Sequence, residues 1–386
     1  NSSIDFTKSN SYNFRLMTYN VLNNGLISNS RVDEHRRILS SVNADIITYQ
    51  ECGNTNYNDV LSFLNTSSIN YPYIYPDLNS GNLTISKYPS IQSWQVSEKI
   101  DAELLDLPDS IYLTDILILN GHPPCCSNNQ GRQDNFDAFI QFIHDAKTVG
   151  GVIDLPINTP IVFSGDMNLV GYSEQYYTII NGTISDTETF GNGGFPDWDN
   201  SPFQDQVSYF NEKNIAYTWD KSNPSAGDFP PGRLDFIFFS NSVMICDKSF
   251  VVSTEHMSSD LLEGTNLLWN DTKNASDHFP VIADFVIELS DEFIQNNGDN
   301  NQIGAFEPDS CPFDFGTSYQ NLFGCNDGDG DGWADIEDIF SSDGTQWEDL
   351  DGDGYGDNPN GNESDDCISQ SGTSTLTVNY TSNTLE

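Results

Sequence analysis

The sequence predicts an α/β body followed by an acidic C-terminal tail. Through the first 290 residues, short apolar and β-branched runs alternate with amphipathic stretches, which is the pattern of strands and helices in one mixed domain. The chain has 386 residues, of which 37% are hydrophobic, with 24 Phe, 17 Tyr and 6 Trp. This is enough apolar material for a large core, and it argues against wholesale disorder.

Six apolar runs predict buried strands, at residues 14–22, 45–50, 112–120, 160–164, 233–239 and 280–287. Amphipathic spacing predicts two helices, at residues 31–42 and 133–146. In the second of these, Phe136, Ile140 and Ile143 fall on one helical face. Compositions rich in Gly, Pro and Asn predict two long loops, at residues 191–202 and 222–232.

The chain is strongly acidic. It has 14 Lys and Arg against 58 Asp and Glu, a formal net charge of −44. This balance excludes a protein that grips nucleic acid or anionic lipid through a bulk basic surface. Because no run of about 18 apolar residues occurs, no membrane-spanning helix is predicted.

The acidic charge divides the chain. Residues 291–386 contain 22 of the acidic residues and no Lys or Arg, whereas residues 1–290 contain the other 36 acids and all 14 bases. The boundary region is polar and rich in Asn and Gly, as linkers are. We therefore predict a folded body at 1–290, a linker at 291–310 and a tail at 311–386.

The expected location is outside the cell or at its surface. The chain begins at Asn1 rather than Met, which is typical of a mature secreted form whose leader has been removed. Seven cysteines favour an oxidising compartment. Eight Asn-x-Ser/Thr sequons permit glycosylation, at Asn1, Asn65, Asn82, Asn181, Asn270, Asn274, Asn362 and Asn379.

Polar side chains interrupt or follow the predicted strands. They are Asn20, Glu51, His122, Asp166, Asn168, Asp235, Asp277 and His278. Any one of them is typical of a turn or a helix cap. A set of carboxylates, amides and histidines that meets at one end of a sheet is what metal-assisted hydrolysis requires.

Six short motifs surround these residues in a fixed order. They are MTYNVL at 17–22, TYQE at 48–51, NGH at 120–122, SGDMN at 164–168, RLDFI at 233–237 and SDHFPV at 276–281. Each is weak alone, but together they resemble the endonuclease/exonuclease/phosphatase family, which includes deoxyribonuclease I. The resemblance covers about residues 12–290. It implies a four-layer α/β sandwich, with two packed and mainly antiparallel β-sheets flanked by helices.

The resemblance also implies a metal site where the two sheets open at one end. Glu51 would be the principal ligand of Mg²⁺ (or Mn²⁺), with Asn20 beside it and Asp277 completing the polar shell. Mg²⁺ prefers oxygen ligands and retains several waters, so one or two carboxylates suffice.

The remaining roles are implied residue by residue. His278 would be the general base or would polarise the phosphate, held in one tautomer by Asp235. Asp166 would orient or deprotonate the attacking water, and Asn168 would bind a phosphate oxygen. His122 would contact the phosphate or protonate the leaving oxygen. These parts supply what phosphoester hydrolysis needs.

The sequence departs from the family pattern after His122. Pro123, Pro124, Cys125 and Cys126 follow it, and the two prolines are expected to stiffen this loop. Cys125 and Cys126 are candidates for disulfide bonds that hold this loop in place, and Cys52 is a candidate partner of Cys125 or Cys126.

The tail contains two calcium-loop patterns of the EF-hand type. The first has Asp327, Asp329, Asp331, Asp335 and Asp338 at positions 1, 3, 5, 9 and 12, and the second has Asp349, Asp351, Asp353 and Asp357 at positions 1, 3, 5 and 9. A glycine stands at position 6 of both. The tail resembles thrombospondin type 3 repeats, which implies Ca²⁺ binding and a calcium-stiffened spacer.

Three functions are expected from these features. The leading one is a secreted metal-dependent phosphoesterase whose substrate is extracellular nucleic acid. A sphingomyelinase-like or sugar-phosphate specificity is the near alternative, favoured by the acidic surface. The third is a structural or adhesive protein that self-assembles or attaches to a surface through its calcium tail.

Overall fold

The computed structural model describes most of the chain and divides it into two compact units. The described residues are 5–64, 71–77, 79–151, 153–170, 172–221, 230–290, 310–311, 316, 318–322, 324–365, 368–369 and 371. The units are Asn1–Glu288 and Leu289–Glu386. All of the predicted linker except residue 310 lies outside the described residues. Within them, no helix is long and apolar enough to cross a membrane.

The first unit contains two six-stranded sheets. Its strands are β1 (Phe14–Asn20), β2 (Ile46–Gln50), β3 (Tyr73–Asp77), β4 (Asn82–Ser86), β5 (Ser90–Ser97), β6 (Ile100–Leu105), β7 (Ile116–Gly121), β8 (Ile161–Asp166), β9 (Gln204–Asp205), β10 (Asp235–Phe239), β11 (Met244–Val251) and β12 (Val281–Ile287). The strand orders are β11-β12-β1-β2-β4-β3 and β5-β6-β7-β8-β10-β9. Each sheet has one parallel pair, β1–β2 or β7–β8, and its other pairs are antiparallel.

Helices cover the outer face of each sheet. They are α1 (Val32–Val42), α2 (Tyr57–Leu64), α3 (Asn129–Ala146), α4 (Ser173–Asn181), α5 (Thr187–Phe190), α6 (Ser259–Thr265) and α7 (Asp271–Ala275). One core cluster joins the first sheet to α1 and α2, and another joins the second sheet to α3 and α4. Between the sheets, the Phe285 ring of β12 contacts the Phe239 ring of β10 at 5.1 Å. The predicted four-layer α/β sandwich is confirmed.

All six predicted strands and both predicted helices are present, with shifted ends. The helix predicted from residue 133 begins at Asn129, because the side chain of Asn128 caps it by accepting a hydrogen bond from Gly131 N at 3.1 Å. The half-exposed β5 was not predicted because it lacks the apolar run of a buried strand. The predicted loop at 191–202 contains no helix or strand, and most of the one at 222–232 lies outside the described residues.

A polar seam crosses the interface between the sheets near the ends of β2 and β7. Gln50 Nε2 donates to Asn120 Oδ1 at 2.9 Å, and Asn120 Nδ2 donates to the Tyr49 carbonyl at 3.1 Å. The hydroxyls of Thr48 and Ser164 lie 2.9 Å apart. Hydrogen bonds between buried polar groups require a fixed geometry. This seam therefore sets the position of one sheet relative to the other, next to the predicted site.

Candidate active site

The predicted site residues meet at one cleft of the first unit. The cleft has a volume of about 760 Å³, and its walls include Glu51, His122, Asp166, Asn168, Asp277 and His278. The other two predicted residues, Asn20 and Asp235, are fully buried and bond directly to members of this group. Eight residues that are scattered from position 20 to position 278 therefore form one connected cluster.

The strand registers bring these residues together. β8 and β10 are antiparallel with Asp166 opposite Asp235. β7 and β8 run parallel with Gly121 beside Gly165, so His122 emerges next to Asp166. A Cβ on Gly165 would lie 2.0 Å from the Gly121 carbonyl oxygen, and its φ is +147°. Only glycine permits this close approach.

Asp166 is the centre of the cluster. Its Oδ2 accepts a hydrogen bond from Asn20 Nδ2 at 3.0 Å and lies 3.5 Å from His122 Nε2 and 3.6 Å from His278 Nε2. Burial alone would raise the pKa of Asp166, but the neighbouring histidines and Asn20 outweigh it and lower that pKa. The Asp166 carboxylate is therefore held in its charged form between two imidazoles.

Asp235 fixes the orientation of His278. His278 Nδ1 lies 2.8 Å from Asp235 Oδ2, and since a carboxylate can only accept, Nδ1 carries the proton and Nε2 faces Asp166. Asp235 N in turn donates to Thr218 Oγ1 at 2.9 Å. Burial opposes a charge on His278, yet the carboxylates of Asp235 and Asp166 prevail and raise its pKa to about 10.

Glu51 follows β2 in a left-handed backbone conformation, with a φ of 63°. Such a conformation is uncommon outside glycine and is typical of functional sites. Its Oε1 accepts from Asn20 Nδ2 at 3.1 Å and its Oε2 accepts from Asn23 N at 2.6 Å. Asn20 therefore links Glu51 to Asp166.

The residues at this end of the cleft fit a magnesium ion. The donors are carboxylate oxygens of Glu51 and Asp277, and Mg²⁺ prefers oxygen. Asp277 Oδ2 accepts from Trp219 Nε1 at 3.2 Å, whereas Asp277 Oδ1 is buried and has no hydrogen-bond partner among the described residues. A buried carboxylate oxygen without a donor is costly unless a cation approaches it.

A second arrangement of donors lies beside the first. Asp166, Asp235 and His278 each offer one ligand atom, and these atoms lie within 4.8 Å of one another. That spacing also suits a metal ion. The proton between His278 and Asp235 competes with a metal there, which favours the Glu51 end of the cleft.

Asn168 connects the site to the loop after β7. Its φ is 49°, its N donates to Asp166 Oδ1 at 3.1 Å, and its Nδ2 donates to the Pro123 carbonyl at 3.0 Å. Asn168 therefore holds the proline-containing loop against the Asp166 carboxylate.

Several wall residues were not predicted from the sequence. Lys99, Trp219, Arg233 and the prolines at 230 and 231 line the same cleft. Lys99 stands in the turn between β5 and β6 and carries no sequence signal. Arg233 Nη1 donates to Asp205 at 2.8 Å, and its guanidinium lies 4.1 Å from the Phe236 ring centroid, so its charge is already paired.

A family model described as the Endonuclease/Exonuclease/phosphatase family matches residues 17–278. The chain belongs to this family. The matched range contains all eight site residues. This confirms the family predicted from the six motifs, and members of the family are hydrolases. A search of curated proteins returned no match.

Solved structures of the same fold resemble this family member at low sequence identity. They include D. rerio TDP2 complexed with single-strand DNA product (15% identity, 72% of this chain and 100% of that chain, TM-score 0.47). Sphingomyelinase C from Streptomyces griseocarneus has 15% identity over 71% and 99%, with a TM-score of 0.45. Beta toxin from Staphylococcus aureus with bound magnesium ions has 14% identity over 70% and 99%, with a TM-score of 0.46.

The second unit contains two loops of alternating aspartates. Three carboxylates of each loop bring one oxygen apiece within 4.8 Å; the sets are Asp327, Asp329 and Asp331, and Asp349, Asp351 and Asp353. Oδ2 of Asp329 and Oδ2 of Asp331 are buried without a hydrogen-bond partner among the described residues. The same holds for Oδ2 of Asp338, a residue only 7% exposed. Such oxygens fit a hard cation.

Asp335 and Asp357, predicted as further ligands, bond inside their own loops. Asp335 Oδ1 accepts from Gly328 N at 2.7 Å, and Asp357 Oδ2 accepts from Leu350 N at 3.0 Å. Each carboxylate thus binds the amide one residue after the first aspartate of its loop. The two loops close in the same way.

The structure shows which cysteines are paired. Cys311 and Cys325 form a disulfide, whereas Cys52, Cys125 and Cys126 carry free thiols. The predicted pairing of Cys52 with Cys125 or Cys126 is therefore wrong, because Cys52 is 1% exposed in the core cluster below the first sheet.

The sequon at Asn82 is buried in β4 and unavailable to a glycan, whereas those at Asn274 and Asn362 are exposed.

Proposed function

We propose that this family member is a divalent-metal-dependent phosphodiesterase that acts on nucleic acid outside the cell. One observation carries the proposal. The Asp166 carboxylate lies between the Nε2 atoms of His122 and His278 and is joined through Asn20 to Glu51. In-line hydrolysis of a phosphoester needs a group that accepts a proton, groups that donate protons and a carboxylate that can bind a metal ion. The charged carboxylate of Asp166, the two imidazoles and the Glu51 carboxylate supply these around one cleft.

Four residues of the cleft have separate roles in proton transfer and phosphate binding. Asp166 accepts a proton from the attacking water and orients it. His278, held by Asp235, donates from Nε2 to a non-bridging phosphate oxygen. His122, with its side chain 21% exposed, is placed to donate to the leaving oxygen. Asn168 offers its amide to the phosphate from the loop side.

Glu51, with Asn20 beside it and Asp277 in the same cleft wall, would hold Mg²⁺ or Mn²⁺. When bound, the metal neutralises charge on the phosphate and on the leaving oxygen. The hydrogen bonds from Asn20 and Asn23 hold the Glu51 carboxylate in place without it. This preorganisation limits the movement needed on metal binding.

A lipid phosphodiester is the second candidate substrate. Much of the cleft lining is apolar, with Pro123, Pro124, Leu169, Val170 and Leu234. Of the Lys and Arg side chains that line the cleft, Arg233 is paired with Asp205, which leaves Lys99 as the main contact for additional phosphates. This favours substrates with few phosphates in the cleft, such as a short single strand or a single lipid head group.

The tail is proposed to bind two Ca²⁺ ions and to act as a thrombospondin type 3-like spacer. The repeated loop closure and the unpartnered carboxylate oxygens support this. Extracellular calcium is high enough to fill weak sites of this kind, and the Cys311–Cys325 disulfide favours an oxidising compartment. Self-assembly or surface attachment through the tail remains a separate proposal, tested by chromatography with and without calcium.

An assay panel tests the proposed activity. Purified full-length protein in Mg²⁺ and Ca²⁺ is given single- and double-stranded DNA, RNA, sphingomyelin vesicles, an aryl phosphodiester and simple phosphate monoesters. We expect hydrolysis of phosphodiesters, with single-stranded nucleic acid preferred. His278→Ala should lower the rate by about 10²–10⁴-fold.

The matched control is His144→Ala, which alters an exposed histidine on α3 outside the cleft. It should leave the rate within about twofold. Hydrolysis of sphingomyelin alone would favour the second candidate. No hydrolysis of any substrate by folded wild type, or equal activity in His278→Ala, would overturn the proposal.

A further inference from the structure

Two adjacent thiols form part of the cleft wall. Cys125 and Cys126 are both exposed, both free, and both line the cleft with His122 and Asp166. The Cys125 thiol makes a hydrogen bond with that of Cys126, and this bond, together with burial, raises the pKa of Cys125 to about 11. The two sulfur atoms therefore face each other at the entrance to the site.

The loop that carries them is tied to catalytic and buried residues. Asn168 Nδ2 donates to the Pro123 carbonyl at 3.0 Å. Arg132, which is fully buried, donates to the Pro124 carbonyl at 2.7 Å and to the Cys126 carbonyl at 3.2 Å. A change in the backbone conformation at Cys125 and Cys126 would therefore shift the hydrogen bond to Asn168 and the shape of the cleft wall.

We propose that Cys125 and Cys126 are a redox modification site, at which a low-molecular-weight disulfide converts the two thiols into a vicinal disulfide on the cleft wall. The site is distinct from the structural Cys311–Cys325 disulfide of the second unit. It also differs from Cys52, which is buried in the core.

The reaction is a two-step thiol–disulfide exchange. The thiolate of one of the two cysteines attacks one sulfur of the small disulfide, forms a mixed disulfide and releases one small thiol. The thiolate of the other cysteine then attacks the protein sulfur of that mixed disulfide, closes the ring and releases the second small thiol. The protein loses two protons and two electrons, and the small disulfide is reduced to two thiols.

The resulting bond should be easily reversed. Adjacent Cα atoms are about 3.8 Å apart across a trans peptide, whereas ordinary disulfides span about 4.4–6.8 Å. The ring is therefore strained, and strained exposed disulfides are the readily reduced, regulatory kind. This pair responds to the redox state of its surroundings instead of stapling the loop permanently.

Ring closure should change substrate binding more than the chemical step, a consequence that rests on the proposed function. Cys125 and Cys126 line the cleft wall, while Asp166 and His278 are held by β8, β10 and the segment before β12. We expect the KM for an aryl phosphodiester to differ severalfold between the reduced and oxidised forms, with a smaller change in kcat.

The test uses full-length protein in Ca²⁺ and Mg²⁺ with oxidised glutathione, at mildly alkaline pH because thiolate is the reactive form. We expect intact mass to fall by two hydrogens without a glutathione adduct, peptide mapping to place the bond between Cys125 and Cys126, and dithiothreitol to reverse it. Cys125→Ser and Cys126→Ser should each stop at a single glutathione adduct. Cys246→Ser should behave as wild type.

Persistence of both thiols, a mixed disulfide that never closes, or a bond mapped to Cys52 or Cys246 would overturn the proposal. Equal KM values for the reduced and oxidised forms would overturn the inference that ring closure changes substrate binding. Because the mass readout needs no activity, failure of this inference is distinguishable from failure of the proposed phosphodiesterase function.

Discussion

Asp101 lies on β6 with its carboxyl group between the two sheets. Ser80 Oγ and Asn82 Nδ2 donate to its Oδ2 at 2.6 and 2.8 Å. Burial, followed by a hydrogen bond with the Asp77 side chain, raises the pKa of Asp101 to about 7. Asp77 keeps the charge of this pair, and its own pKa is lowered.

This carboxyl group predicts a pH-dependent stability. Between the ordinary Asp pKa of about 4 and the folded pKa of about 7, the folded protein binds more protons than the unfolded chain, so stability falls as the pH rises. Wild type should lose on the order of 2 kcal/mol of unfolding free energy across this window relative to Asp101→Asn. Urea unfolding at several pH values measures the difference.

The control is Asp106→Asn, which changes an exposed carboxylate just after the same strand. Its pH dependence should be parallel to that of wild type. If Asp101→Asn is also parallel to wild type, Asp101 does not hold a proton in this window.

At the residue scale, the sequence predicted which residues meet at the cleft, but not the conformations that they adopt there. Asp166, Asp235 and His278 could be predicted to meet because the six motifs in their fixed order resemble one family, whereas each polar residue alone is typical of a turn or a helix cap. The left-handed φ of Glu51 carries no local sequence signal. Neither does Lys99, whose place in the cleft depends on how the β5–β6 turn packs.

At the scale of strands, Asn120 of β7 connects the two sheets. Its Nδ2 donates to the Tyr49 carbonyl at 3.1 Å, and its Oδ1 accepts from Gln50 Nε2 at 2.9 Å. Because all three groups are buried, loss of the amide leaves a buried carbonyl and a buried amide short of partners.

Asn120→Ala should therefore lower the unfolding free energy by about 2–4 kcal/mol. Equilibrium urea unfolding of the full chain measures this, with the circular dichroism of the first unit as the signal. The matched control, Asn54→Ala, removes an exposed amide and should cost less than about 0.5 kcal/mol. An equally small effect at Asn120 would show that the seam does not stabilise the sheets.

Periodicity predicted six strands that are buried on both faces. It missed the half-exposed β5, and it also missed β4 and β6, which are buried but whose short runs contain polar or charged residues. β1, β7 and β8 are buried along their whole length, so their apolar runs stand out. β5 is exposed along much of its length, and only its pairing with β6 makes it a strand. The register that sets Gly121 beside Gly165 is likewise a tertiary property, fixed by long-range packing.

At the scale of the whole molecule, the second unit predicts a calcium stoichiometry. With Mg²⁺ present to occupy the proposed site of the first unit, the tail should take up two Ca²⁺ ions, measured by calorimetry on the full chain. Asp331→Asn removes one ligand from the first loop and should leave one ion. Trp333 and Trp347, stacked at 5.7 Å, should report binding through a change in fluorescence.

The control for this measurement is Glu348→Gln, an exposed carboxylate beside the second loop. It should keep both ions. Binding of no calcium, or equal stoichiometry in Asp331→Asn and wild type, would contradict the calcium loops.

The whole-molecule organisation was only partly accessible from the sequence. The change in charge near residue 290 predicted a boundary, and the compact units divide after Glu288. The aspartate spacing predicted two loops but not that Asp335 and Asp357 would bond to backbone amides, because that choice depends on how each loop closes. The Cys52 pairing failed because spacing along the chain does not reveal which layer a thiol occupies.

The most direct test of the central claim is a magnesium titration of phosphodiester hydrolysis, with Ca²⁺ held constant so that the tail is unaffected. Wild type should be inactive without Mg²⁺ or Mn²⁺ and gain activity as either is added. Glu51→Gln should need about tenfold or more magnesium to reach half of its maximal rate, whereas Glu98→Gln, at an exposed position, should match wild type. Full hydrolysis without added Mg²⁺ or Mn²⁺, or a Glu51→Gln curve that coincides with wild type, would contradict it.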